Sequence, residues 1–74
     1  MRISGKVVLE AMGSGVWIIV AGDGKKYLPV NMPEQLKIEG EEVRIVAKRS
    51  PQESLFMIGM PIEITSFYTL PKFG

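Results

Sequence analysis

Residues 16–31 constrain the fold more than any other stretch. A β-branched and aromatic run, Val16, Trp17, Ile18, Ile19 and Val20, stops at Gly22-Asp23-Gly24, and a second apolar run returns after Lys26. Asp and Gly tolerate the positive φ that tight turns demand, so the pattern predicts a β-hairpin. The hairpin holds the single Trp and one of the two Tyr, and rings of that size contribute heavily to the core or binding face of a small domain. With Asp23-Gly24 as a two-residue loop, Val20 stands opposite Tyr27 and Ile18 opposite Pro29. One face then carries Trp17, Ile19, Leu28 and Val30; the other carries Val16, Ile18, Val20, Tyr27 and Pro29. A three-residue loop would slip the third strand by one position and flip its contribution. In either register the second strand is apolar on both faces, so it is covered twice or half of it waits for a partner.

The flanking segments supply further strands. Over residues 2–11, Ile3, Gly5, Val7 and Leu9 alternate with a mostly polar set, the period of a half-buried strand. Gly5 at an inward position predicts a bulge or bend of the kind that lets a barrel strand pass from one sheet to the next. Residues 12–15 read as a turn. Residues 31–40 predict a short helix, with Asn31 as cap, Pro33 in the first turn, Glu34 completing the cap and Gly40 as the stop. Leu36, with Met32, would face the barrel. In residues 41–49, Val43, Ile45 and Ala47 face inward while Glu42, Arg44, Val46 and Lys48 face outward. Residues 50–54 read as a polar turn. The last apolar stretch, 55–67, is broken at Gly59-Met60-Pro61, and Pro61 predicts a bent strand or two short ones at a sheet edge.

Seventy-four residues make one domain, near the lower limit for a chain that folds on a single core without staples. The expected domain is residues 1–74, ordered over about 2–67, with 68–74 an apolar tail. The order strand, strand, strand, short helix, strand, strand predicts an all-β, five-stranded OB-fold-like Greek-key barrel with one short helix between strands three and four. Other small five-stranded barrels are the competing architecture.

Trp17-Ile18-Ile19-Val20, Asp23-Gly24-Lys25-Lys26-Tyr27, Pro29, Asn31, Pro33-Glu34, Gly40 and Gly59-Met60-Pro61-Ile62-Glu63-Ile64 occur together with a spacing that resembles small single-domain prokaryotic OB-fold-like proteins of unknown function. The resemblance spans roughly residues 5–65. It implies the fold and brings no activity or catalytic motif with it.

The residue inventory narrows the chemistry. There is no Cys and no His, which removes disulfides, thiolate metal sites and the usual base for a nucleophilic Ser. Glu39, Glu41 and Glu42 sit where acidic side chains ordinarily meet solvent, and Gly22-Asp23-Gly24 has too few carboxylates for a calcium loop and no following helix for a phosphate cradle. The chain is therefore expected to be non-enzymatic, with no catalytic, cofactor or metal site. Lys6 and Glu10 interrupt the first apolar run, so neither a signal peptide nor a membrane span is expected; with Met1 as the native start, the expected location is the cytoplasm.

Two binding readings compete. The apolar content of 46% is high for so small a domain, and Val16, Ile18, Val20, Tyr27 and Pro29 on one hairpin face would suit self-association or a protein partner. That interaction module is the favoured reading. The alternative is single-stranded nucleic-acid binding, with Lys25, Lys26, Arg44, Lys48 and Arg49 as contacts beside the barrel's strands. A net charge of only +1 is small for a dedicated duplex binder.

Overall fold

The computed structural model describes residues 1–11, 15–51 and 59–69. The turn at 12–14, the greater part of the 50–58 segment and the tail at 70–74 lie outside the described residues. Five strands form the fold: β1 (Arg2–Glu10), β2 (Val16–Ala21), β3 (Lys26–Pro29), β4 (Glu42–Arg49) and β5 (Met60–Thr69). They close into a barrel in the order β1-β2-β3-β5-β4, with β4 returning to β1. All neighbours are antiparallel except β3 and β5, which run parallel. This is the expected five-stranded, OB-fold-like Greek-key barrel.

Closure depends on β1, which belongs to both halves of the sheet. Its first part pairs with β4, from Arg2 opposite Val46 to Lys6 opposite Glu42, and its second part pairs with β2, from Gly5 opposite Ala21 to Glu10 opposite Val16. The strand turns the corner at Gly5 and Lys6, the two residues paired on both sides. A Cβ built on Gly5 would lie 2.4 Å from the Val20 carbonyl oxygen, so the absent side chain is what lets β2 approach the bend.

The β2–β3 hairpin takes the longer loop. Ile19 stands opposite Tyr27 and Val20 opposite Lys26, while Ala21 and Lys25 close the turn through Ala21 N–H donating to Lys25 O at 2.9 Å. Gly22, Asp23 and Gly24 are the loop, with Gly24 at φ +87°. Gly24 N–H donates to Ala21 O, and the Lys25 N–H donates to Asp23 Oδ1 at 3.0 Å. A turn followed by a left-handed Gly is the common three-residue hairpin loop, and it too suits the right-handed twist of the flanking strands. The two-residue register is thereby corrected: β3 is slipped by one residue, and Tyr27 and Pro29 share the inner face with Trp17 and Ile19.

The barrel interior is filled by Ile3, Val7, Ile19, Val43, Ile45, Ala47, Ile62 and Ile64, with Leu36 entering from the β3–β4 connection. Trp17, Tyr27, Met32, Met60 and Phe67 pack against this cluster while partly exposed. The connection is not the expected helix. It contains a single 3-10 turn, Glu34–Leu36, which is enough to seat Leu36 and Met32 against the barrel as expected. Nor does Asn31 cap it: Pro33 occupies the cap position without a side-chain hydrogen bond.

Asn31 instead acts as an extra rung between β3 and β5. Its amide Nδ2 donates to Ile64 O at 2.9 Å and its Oδ1 accepts from Ile64 N–H at 2.8 Å, imitating a backbone peptide just beyond the end of β3. Replacing Asn31 by alanine leaves both Ile64 groups without their partner in a partly buried position. A loss of about 2 kcal/mol is expected, read as a lowered urea midpoint at unchanged m value. Asn31→Asp should recover little, because a carboxylate cannot donate to the Ile64 carbonyl.

Pro61 is not at an edge, since β5 is paired on both sides, with β3 and with β4. Pro61 lies opposite Leu28, and its carbonyl accepts from Ser50 N–H at 3.0 Å. The last strand also extends beyond residue 67 to Thr69, taking Tyr68 out of the expected tail and into the sheet.

Candidate binding surface

The five apolar residues of the hairpin do not make one surface. Val16, Ile18 and Val20 point outward, opposite Glu10, Val8 and Lys6 of β1. Tyr27 and Pro29 point inward in the three-residue register, and Pro29 is buried. Ile18 has no exposed surface, although it lies outside the main core cluster. The chain itself therefore covers the centre of the hairpin's outer face, leaving Val16 and Val20 half-buried to either side.

The basic residues are also divided. Lys25 and Lys26 are exposed where the hairpin loop leads into β3, whereas Arg44, Lys48 and Arg49 are exposed on β4, and β5 lies between those strands. Lys48 reaches Glu63 on β5 at 3.4 Å, a solvent-exposed pair that offsets its charge and adds little stability. Arg44 has no such partner among the described residues.

Arg44 marks a different face. It stands opposite Ser4 on β1 and opposite Tyr68 on β5. In the next row Val46 stands opposite Arg2 on β1 and Ser66 on β5. These six side chains occupy adjacent outward positions on three neighbouring strands, where facing residues come within about 5 Å at Cβ. Arg2, Ser4, Arg44, Val46 and Tyr68 line a groove of about 390 Å³. Tyr68 is 58% exposed and Val46 38%. Neither guanidinium is in an ion pair among the described residues; Glu42, two residues before Arg44 on β4, stands opposite Lys6.

A bulge in β5 puts Tyr68 there. Ala47 pairs with Ile64, but Val46 pairs with Ser66, so Thr65 is an extra residue. Its hydroxyl donates to the Val46 carbonyl at 3.0 Å. Before the bulge the even-numbered Ile62 and Ile64 face the core; after it Phe67 packs on the core and Ser66 and Tyr68 face out. One inserted residue exchanges the two faces of the strand.

No family model, curated protein or solved structure matches this chain. The reading of the surface rests on its own chemistry. Two cationic forks, an exposed ring and two hydroxyls on one sheet face can grip phosphate or carboxylate groups and offer an apolar face beside them. Among the described residues, no helix is long and apolar enough to cross a membrane.

Proposed function

We propose that the barrel is a non-catalytic binding module that takes an extended anionic chain across the outer face of β1, β4 and β5. The observation that carries this reading is the pair of guanidinium groups, Arg2 and Arg44, lining one groove with no carboxylate partner among the described residues. Arginine forks bind phosphate and carboxylate oxygens in bidentate fashion, and unpaired cations along a groove raise the local concentration of an anionic ligand. The hairpin's outer face supports the rival interaction reading less well, because Ile18 is covered by the chain itself and Tyr27 and Pro29 face inward.

Long-chain polyphosphate, which carries charge and no rings, tests the reading directly. The barrel should bind it at low ionic strength, with affinity falling steeply as salt is added. Arg2→Gln combined with Arg44→Gln should weaken binding about tenfold or more and flatten the salt dependence. Binding that is absent at low salt, or indifferent to both arginines, would remove the proposal.

Self-association through the same face is a second reading, favoured by the exposure of Val46 and Tyr68 on either side of the Arg44 position, since Tyr and Arg are enriched at interface centres. Light scattering decides it: a mass above the 8.2 kDa of one chain, reduced by Val46→Lys, supports that reading, and a monomer at high concentration removes it.

A further inference from the structure

Resting on the anionic-chain reading, we infer that the chain it takes is a single-stranded nucleic acid, with one base stacked on Tyr68 and the adjoining phosphates held by Arg2 and Arg44. Polyphosphate-type binding needs only charge, and the ring is the feature that charge does not explain. Tyr68 is the most exposed of the large apolar side chains among the described residues, at 58%. It stands directly across from Arg44, with Val46 beside it. Leaving a large ring in water forgoes the burial that would otherwise stabilise the fold, whereas an exposed ring on a sheet beside a cation is the platform on which a nucleobase stacks.

The position of the ring favours a single strand over a duplex. Tyr68 belongs to a paired strand, with Thr65 bonded across the bulge just before it, so the ring is presented from a sheet face. A base must leave a double helix before its face can meet such a ring, whereas in a single strand it is already available. Ser4 and Ser66, at the two sides of the face, offer hydroxyls to phosphate or sugar oxygens. A protein partner with acidic side chains would use the same arginines and bury the same ring, so the comparison of oligothymidine with an abasic oligomer carries the distinction.

The experiment compares three probes on the intact chain: a short labelled oligothymidine, an abasic oligomer with the same number of phosphates, and polyphosphate. The oligothymidine should bind more tightly than the abasic oligomer, and more tightly than the same sequence in a duplex. Tyr68→Ala should weaken the oligothymidine by about tenfold, within the range of one stacked base, while leaving the abasic oligomer and polyphosphate unchanged. Tyr68→Phe, which keeps the π face and loses the hydroxyl, should retain the tight binding. The abasic comparison within the unaltered protein needs no substitution, so the test survives even if Tyr68→Ala weakens the fold. Equal affinity for oligothymidine and abasic oligomer, or binding indifferent to Tyr68→Ala in a folded variant, would overturn the stacking inference while leaving the anionic-chain reading intact. Absence of binding to all three probes would overturn both.

Discussion

Gly5→Ala is expected to abolish most of the barrel's stability. The new Cβ would sit 2.4 Å from the Val20 carbonyl oxygen, 2.9 Å from its carbon and 3.1 Å from the Ala21 Cα. All three are backbone atoms of β2, so no side-chain rotation relieves the clash and the strand itself must move. That movement breaks the Gly5–Ala21 and Lys6–Val20 pairing where β1 passes from β4 to β2. Overpacking a core costs about 1–3 kcal/mol where side chains can adjust; with backbone on the other side the cost should exceed about 3 kcal/mol. A domain of this length has only about 4–11 kcal/mol in total. The expected result is a large fall in the urea midpoint, or a chain unfolded at room temperature. An alanine variant within about 0.5 kcal/mol of the parent would show that β2 is not held against the bend.

Ile18 gives the second large effect, and its direction separates two views of the hairpin. The side chain points out of the barrel yet has no exposed surface in the single chain. Ile18→Ala should therefore cost about 2–5 kcal/mol, as at any fully buried aliphatic position. Ile18→Glu should prevent folding by burying an unpaired carboxylate. An interface residue would behave differently: its loss would lower association and leave the stability of the isolated chain almost untouched. Equilibrium unfolding at several protein concentrations distinguishes these cases, because an associating chain is stabilised by concentration and a monomer is not. A small, concentration-dependent effect of Ile18→Ala would contradict the burial seen at this position.

The parts of the fold legible in the sequence are those set by local alternation and steric exclusion. The period-two patterns of residues 2–11 and 41–49 place Ile3, Val7, Val43, Ile45 and Ala47 in the core where the barrel has them, because one face of each strand must leave water. Gly5 is legible for the same reason: an inward glycine in an apolar strand has few uses other than close backbone approach. The hairpin register is less so. Gly22-Asp23-Gly24 is compatible with two loop lengths of similar energy, and the choice depends on how the paired strands twist, which tertiary context decides. Asn31 has the chemistry of a helix cap and also that of a strand mimic; the second prevails because β5, far away in sequence, brings the Ile64 peptide to it.

The candidate surface was legible only in part. Arg44 stands out as an outward cation on an alternating strand, but its partners depend on pairings over long sequence distances. Tyr68 looks like part of an apolar tail because the Ile62 and Ile64 alternation, continued without interruption, would send it inward. Thr65 reverses that parity. Its only sequence signal is the polar run Thr65-Ser66 amid apolar neighbours, which fits a bulge and an ordinary exposed turn equally well.

The strand order also governs how the chain comes together during synthesis. β5 is the last of the described strands to be made, yet it occupies the slot between β3 and β4. Until residue 69 has left the ribosome, the earlier strands can form at most an open sheet, β3-β2-β1-β4, whose two outer edges carry unsatisfied peptide groups. Such edges invite pairing with other nascent chains. Closure then waits on contacts between distant segments, a topology associated with slow folding. The short length of β3, Lys26–Pro29, and the proline at its end limit what an intruding strand could grip during that interval.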